Sequence, residues 1–343
     1  MRIALDATYS VDPHPSGIAV YSRELLDGLA AAHREDQFLH CYRIKQFFAD
    51  NRRLAPNVRR KLLIPPVPNV RANIFHALNQ RVDRRQAKRV VSTFHDLFVM
   101  TNEYSSPEFR VRFQQQARQA AANSDIIIAV SEFTATQVNT LLGVPRSRIR
   151  VIHHGVRFPR EQTATRRENM VLFVGALQTR KNITRLVAAF EQMPHTWSLT
   201  LAGAAKGFGI AEILDRIRAS PAYERIKVTD YVSPEELNSL YARASIFAFP
   251  SLDEGFGMPV LDAMAHGVPV LTSNRSVLPE VAGEAALLVD PNQTEEIATA
   301  LKLLAEDVTL RERLAEAGRT RASKFSWENA VEQTYGVYRE LLG

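Results

Sequence analysis

Short continuous runs of apolar and β-branched residues recur along the whole chain, each followed by a stretch with helical periodicity. No other feature constrains the fold as tightly. Runs at residues 3–5, 38–42, 74–76, 90–94, 126–130 and 149–152 in the first half read as strands covered on both faces, as parallel sheets require. The same holds in the second half at 171–174, 199–202, 226–228, 246–249, 268–271 and 286–289. Between them, Ile183, Leu186, Val187 and Phe190 keep the i, i+3, i+4, i+7 spacing of a helix face. Ser233-Pro234-Glu235-Glu236 and Ser106-Pro107-Glu108 carry helix-start chemistry. The expected fold is α/β, with doubly wound parallel sheets and about six βα units in each half.

The chain has 343 residues, enough for two domains at ~150 residues each. A polar, aperiodic stretch around residues 158–168 reads as the linker. The expected domains are 1–158 and 169–325, with a terminal helix over 326–343 that carries Trp327 and Tyr338 and packs back toward the first domain. With 45% apolar and 23% charged residues the composition is globular, and the lone Cys41 excludes an internal disulfide framework or a cysteine-rich metal site. No apolar run approaches the ~20 residues of a membrane-spanning helix. The opening MRIALDATYS has no apolar core of a signal peptide, so a cytoplasmic location is expected.

The net charge of +6 is uneven: residues 1–165 hold 24 Lys/Arg against 14 Asp/Glu, and residues 43–89 alone hold 13 basic residues against Asp50 and Asp83. Such a segment suits an anionic partner, whether lipid surface, phosphorylated substrate or nucleic acid, or else is a solvated face.

Ligands of open α/β sheets bind where strands end, with phosphates at helix N-termini, so the residues just after each strand matter most. After the first strand, Gly17 stands before a helix through Tyr21, Leu25 and Leu26 and lets backbone N–H groups approach an anion. After the first strand of the second half, Arg180 and Lys181 precede an amphipathic helix whose expected N-cap is Asn182, which suits a diphosphate. Residues 249–264, FPSLDEGFGMPVLDAM, follow a buried strand and open a helix. There Gly255 and Gly257 expose backbone N–H groups, Glu254 can accept hydrogen bonds from sugar hydroxyls, and Asp262 can do so for a ribose.

These motifs together resemble glycosyltransferase family four, of GT-B fold: two Rossmann-like domains facing across a cleft. The resemblance runs through Gly17-Ile18, Phe94-His95-Asp96-Leu97, Val130-Ser131-Glu132, His154-Gly155-Val156, residues 174–182, 231–237 and 249–264, and LPEVAGEAALLV at 278–289. The family's Glu-x7-Glu element reads Glu254-x7-Asp262 here, with a shorter second carboxylate. The resemblance implies a retaining, metal-independent hexosyltransferase without a cofactor, acting on a nucleotide sugar. GDP-mannose is the favoured donor, because relatives that use it share the Arg-Lys-Asn form of the motif. It implies further that Gly17, Arg180 and Lys181 grip the diphosphate and that Glu254 with the Gly255, Phe256, Gly257 and Met258 backbone holds the transferred sugar. Asp262 would hold the ribose, Tyr231 and Val232 border the base, and His95 face the reacting centre. Where many relatives carry arginine after the glycine matching Gly175, this chain has Ala176, shifting phosphate charge onto Arg180 and Lys181. The expected acceptor is a sugar or lipid-linked glycan of the bacterial cell surface. The basic segment, with Phe47, Phe48 and Leu54 interleaved, would attach the protein peripherally to the inner face of an anionic membrane. No metal-ligand set or DxD motif after a strand is present.

Other readings remain open on the residues alone. They are a nucleotide-sugar epimerase or phosphorylase-like enzyme of the same fold, a glycoside hydrolase using Glu254 and Asp262, and a basic-surface nucleic-acid-binding protein, which lacks a recognition helix. A dehydrogenase would need the GxGxxG fingerprint that neither half carries.

Overall fold

The computed structural model describes residues 1–12, 16–64, 70–159 and 166–343. The chain divides into two compact units, Met1–Gly155 with Ser326–Gly343, and Val156–Phe325. Residues 160–165 of the stretch read as a linker lie outside the described residues.

The first unit is built on a seven-stranded sheet. Its strands are β1 (Arg2–Asp6), β2 (Gln37–Tyr42), β3 (Val58–Leu62), β4 (Ile74–Ala77), β5 (Arg89–Phe94), β6 (Ile126–Ala129) and β7 (Ile149–Val151). The order is β3-β2-β1-β4-β5-β6-β7, with every pairing parallel. Its interior strands are buried along nearly their whole length, which is why they read as runs dominated by apolar and β-branched residues. β3 is the strand the apolar runs did not reveal. Its sequence VRRKL is half-exposed on the sheet edge, where charge, not apolar patterning, deters pairing with another chain.

The terminal helix Trp327–Leu342 belongs to this unit. It lies on the helix Gly17–Ala32, with Val331 against Gly28, where a Cβ would come within 2.5 Å. Tyr338 from this helix bonds His76 Nδ1 at 2.6 Å, His76 Nε2 meets Thr93 Oγ1 at 2.9 Å, and Thr93 meets the Tyr21 hydroxyl at 2.8 Å. These four buried side chains satisfy one another inside the core.

The second unit holds β8 (Glu168–Val174), β9 (Ser198–Ala202), β10 (Ile226–Thr229), β11 (Ala244–Phe249), β12 (Val270–Ser273) and β13 (Ala286–Val289), in the order β10-β9-β8-β11-β12-β13, again all parallel. β8 begins at Glu168, inside the segment read as linker. The preceding Arg167 already donates to four carbonyls, those of Tyr241, Ala244, His266 and Gly267, and clips the strand to its neighbours. Strand order reverses between β1 and β4 in the first sheet and between β8 and β11 in the second. Such switch points are where open α/β sheets bind ligands. No helix among the described residues is long and apolar enough to cross a membrane.

Candidate functional site

Two loops and the start of a helix build the site at the β8/β11 switch point, and the two loops carry its charged cluster. The first leaves β8 through Gly175, whose φ is +148° and whose carbonyl lies so close to Gly203 that a Cβ there would come within 2.3 Å of it. This contact presses the β8 loop against the β9 loop. Backbone bonds from Leu177 to Ala204 and from Thr179 to Phe208, 3.0 Å each, fix the loop before the 3-10 turn Thr179–Lys181. The turn delivers two consecutive cations into the protein, Arg180 and Lys181, each 8% exposed.

The second loop leaves β11 as Pro250-Ser251-Leu252-Asp253-Glu254. Leu252 N bonds Arg180 O at 2.9 Å, tying the two loops together. Glu254 is 8% exposed, and Arg180 Nη1 at 2.8 Å, Lys181 Nζ at 2.6 Å and Ser251 Oγ at 2.6 Å all converge on its Oε1. Arg180 also donates to Asp253 O at 2.6 Å, and the Lys181 ammonium lies 4.5 Å above the Phe249 ring. Burial alone would raise the Glu254 carboxyl. The charges of Arg180 and Lys181, with the bonds from Lys181 and Ser251, outweigh it and lower the pKa to about 2. The cluster thus brings two cations onto one ionised carboxylate oxygen.

Asn182 corrects the reading of the helix start. It occupies the position before Ile183–Phe190, but at φ +59° and with no side-chain cap bond. Its buried amide instead donates to Pro250 O at 3.0 Å and Pro291 O at 2.7 Å, joining the loop after β8 to those after β11 and β13. A tertiary clip has replaced the local cap.

The third element is the helix Met258–Ala265, entered through Gly257 at φ +88°. Gly255 and Phe256 are buried, Phe256 with its ring 6.0 Å from Phe325, and Met258 is half-buried. Asp262, half-buried on this helix, has no side-chain hydrogen bond among the described residues, and burial pushes its carboxyl up to about 7. Tyr231 is exposed and Val232 half-buried between β10 and the helix Pro234–Arg243, which Ser233 and Glu236 close with the expected capping box. The structure therefore gathers Arg180, Lys181 and Glu254 in direct contact.

In the first unit, Gly17 opens the helix Gly17–Ala32, whose N-cap Ser16 accepts from Ala19 N at 3.4 Å; residues 13–15 lie outside the described residues. His95 follows β5, 6% exposed, and its Nε2 donates to Leu78 O at 2.9 Å. Burial lowers its pKa to about 4, so the ring is neutral near pH 7 with Nδ1 as its acceptor. The Tyr21 ring stands edge-on to it at 4.8 Å. The basic segment is partly neutralised from within. Arg52 and Arg60 flank the buried Asp50 at 3.0 and 3.7 Å, Arg43 pairs with Asp83 at 3.6 Å and Arg85 with Asp125 at 2.7 Å. Lys45, Arg53, Arg59, Arg71, Lys88 and Arg89 remain exposed.

Sequence reasoning missed Ser251, whose hydroxyl supports Glu254, and Ser276, whose Oγ accepts from Glu254 N at 3.2 Å. Ser251 lies inside the motif and was within reach. Ser276, at φ +53°, carries no sequence signal for its role. Among the described residues no three His, Cys, Asp or Glu side chains gather where they would hold a metal ion.

Two doubly wound parallel sheets are the architecture of GT-B glycosyltransferases, and solved structures of that class share the fold. Sucrose-phosphate synthase from Thermosynechococcus elongatus matches with a TM-score of 0.80 at 22% identity, over 100% of this chain and 99% of that one. Anabaena HepE, solved in complex with UDP-glucose, matches at 0.75 with 18% identity, over 99% and 100%. The family model Glycosyltransferase Family 4 matches residues 15–158, and Glycosyl transferases group 1 matches residues 157–321. The chain belongs to glycosyltransferase family four. Among its relatives, the Escherichia coli O-antigen chain mannosyltransferase B is 32% identical over 285 residues, 78% of this chain and 74% of that protein. The serotype-specific mannosyltransferase WbdA of Escherichia coli is 28% identical over 277 residues, 74% of this chain, which spans only about a third (34%) of WbdA.

Proposed function

We propose that this glycosyltransferase moves mannose from GDP-mannose to a hydroxyl of a cell-surface glycan or its lipid-linked precursor, with retention at the anomeric carbon. The observation that carries the reading is the convergence of Arg180 and Lys181 on Glu254 Oε1 at the β8/β11 switch point. The mannosyl donor and polysaccharide acceptor are supported by the names of the E. coli relatives, two of them mannosyltransferases and one of O-antigen chains.

As the glycosidic bond breaks, negative charge grows on the β-phosphate. Two preorganised, largely buried cations stabilise that charge without a divalent ion. Glu254, ionised at every working pH, accepts hydrogen bonds from sugar hydroxyls and keeps the cations in place when the donor leaves. Asp262 receives the ribose hydroxyls once it is ionised. Tyr231 and Val232 border the base, and backbone N–H groups at Gly17 and at residues 255–258 complete the grip on diphosphate and sugar. His95, neutral and fixed by Leu78, accepts a hydrogen bond at Nδ1 from a hydroxyl at the reacting centre. The departing phosphate takes the acceptor proton in a front-face attack. The first unit, Met1–Gly155 with Ser326–Gly343, receives the acceptor, and the second, Val156–Phe325, the donor.

Peripheral attachment is supported by the short helix Ile44–Ala49, where Ile44 is 62% and Phe48 80% exposed beside the exposed Lys45, Arg53 and Arg59. Co-sedimentation with anionic but not neutral vesicles is expected, and equal recovery with both rules the attachment out.

A panel of GDP-, UDP- and dTDP-sugars, screened by thermal shift and nucleotide release, tests the donor. Acceptor-dependent GDP release from GDP-mannose, with an α-linked product by NMR and activity that survives chelation, is expected. A β-linked product, or conversion of donor without any acceptor, overturns the reading.

A further inference from the structure

We infer that Ser276, on the loop that leaves β12, is a positioning residue for sugar transfer. Its hydroxyl fixes the backbone of Glu254, so that the carboxylate stays on Arg180 and Lys181; this rests on the transferase reading above.

Ser276 Oγ accepts from Glu254 N at 3.2 Å, and at the far end of the same residue Ser251 Oγ donates to Oε1 at 2.6 Å. Two hydroxyls thus hold Glu254, one at its backbone and one at its carboxylate. β11 and β12 are neighbours, with Phe249 opposite Thr272, so the loops that follow them leave the sheet side by side. The loop of Ser276 is itself tied down: Asn274 N bonds Val289 O at 2.9 Å, and Arg275 N bonds Ser273 Oγ at 3.1 Å. Beyond Glu254 the chain runs through Gly255 and Gly257, and glycine restricts the backbone least. A bond to the N–H just ahead of them therefore gives the carboxylate a fixed base.

The backbone of Ser276 argues that the hydroxyl is the reason for the serine. Its φ of +53° lies in the left-handed region, where a Cβ crowds the following carbonyl and glycine meets no such clash. Among the described residues the only other non-glycine at positive φ is Asn182, whose amide clips the loop next to Lys181. Both residues border the same cluster, one beside Lys181 and one on Glu254. Asparagine visits this conformation more readily than serine does. Strain of this kind persists where the surrounding structure over-determines it, and it gathers at functional sites. What serine adds over an unstrained glycine is the group that accepts from Glu254 N.

Two variants separate the hydroxyl from the strain: Ser276→Gly removes both, and Ser276→Ala removes the hydroxyl alone. With GDP-mannose and acceptor, kcat is expected to fall about tenfold in both, as for one lost hydrogen bond, while the GDP-mannose Kd by calorimetry stays within threefold. The melting temperature of Ser276→Gly is expected to equal or exceed that of wild type, with Ser276→Ala below it. A kcat within twofold of wild type in Ser276→Gly overturns the role, because the serine would then serve only the turn. So does a kcat that falls in Ser276→Ala alone, in step with its melting temperature. Wild-type protein that releases nucleotide from no donor sinks the transferase reading instead. The hold on Glu254 is then read from urea unfolding, where Glu254→Gln is expected to lower the midpoint less in the Ser276→Gly background than in wild type; equal lowering in the two overturns it.

Discussion

Replacing Glu254 by glutamine keeps the shape of the side chain and removes the one charge on which Arg180, Lys181 and Ser251 converge. A carboxyl held at about 2, against an ordinary ~4.3, couples its ionisation to folding by about 3 kcal/mol at 1.36 kcal/mol per decade. Its folded pKa is depressed, so this stabilisation is fully present above about pH 4.3 and is lost as the pH falls toward 2. Breaking a buried ion pair from one side costs ~3–5 kcal/mol by an independent route, because the remaining charges stay buried without compensation. Glu254→Gln is therefore expected to destabilise the second unit by about 3 kcal/mol at pH 7, roughly 6–12 °C in melting temperature. Trp197, 5% exposed in that unit, reports its unfolding in urea in a Trp327→Phe background. The difference from wild type should shrink as the pH is lowered toward 3. A loss under about 1 kcal/mol at pH 7, or a loss independent of pH, would refute the view that the carboxylate anchors both cations.

Three further outcomes are expected. Asp262, raised to about 7 by burial, loses its proton only near neutrality, so donor affinity by calorimetry should weaken from pH 8 to pH 6, and Asp262→Asn should abolish that dependence. Because its folded pKa is raised, the penalty on folding grows from about pH 4 to about pH 7, so Asp262→Asn should raise the melting temperature more at pH 8 than at pH 5, and not at all below about pH 4. Asn182→Ala removes two buried amide bonds and leaves alanine at φ +59°, costing about 3 kcal/mol in urea unfolding, whereas Asn182→Gly, free of the backbone strain, should cost ~1 kcal/mol less. With His95 at about 4, the kcat–pH profile should show no limb from this ring between pH 5.5 and 8, and one that disappears in His95→Asn would contradict its buried, neutral state.

The sequence was most legible where burial is two-sided. β4, β6 and β11 are dominated by apolar residues because these strands are buried on both faces, and the two doubly wound sheets follow from them. β3 escaped because an edge strand written VRRKL has no apolar period to read. At the site, residue types were legible and partnerships were not. Arg180 and Lys181 read as an open basic pair, but their counter-charge lies 73 residues downstream, and only the adjacency of β8 and β11 brings it to them. Asn182 has the chemistry of a cap and was read as one, yet two carbonyls on neighbouring loops compete for its amide and win.

Calorimetric titration of GDP-mannose into wild type and Lys181→Ala addresses the phosphate-gripping cluster most directly. Saturable binding by wild type, weakened tenfold or more in the variant and by rising salt, is the expected result. Equal affinity in the two proteins would contradict the assignment of Lys181 and its neighbours to the donor diphosphate.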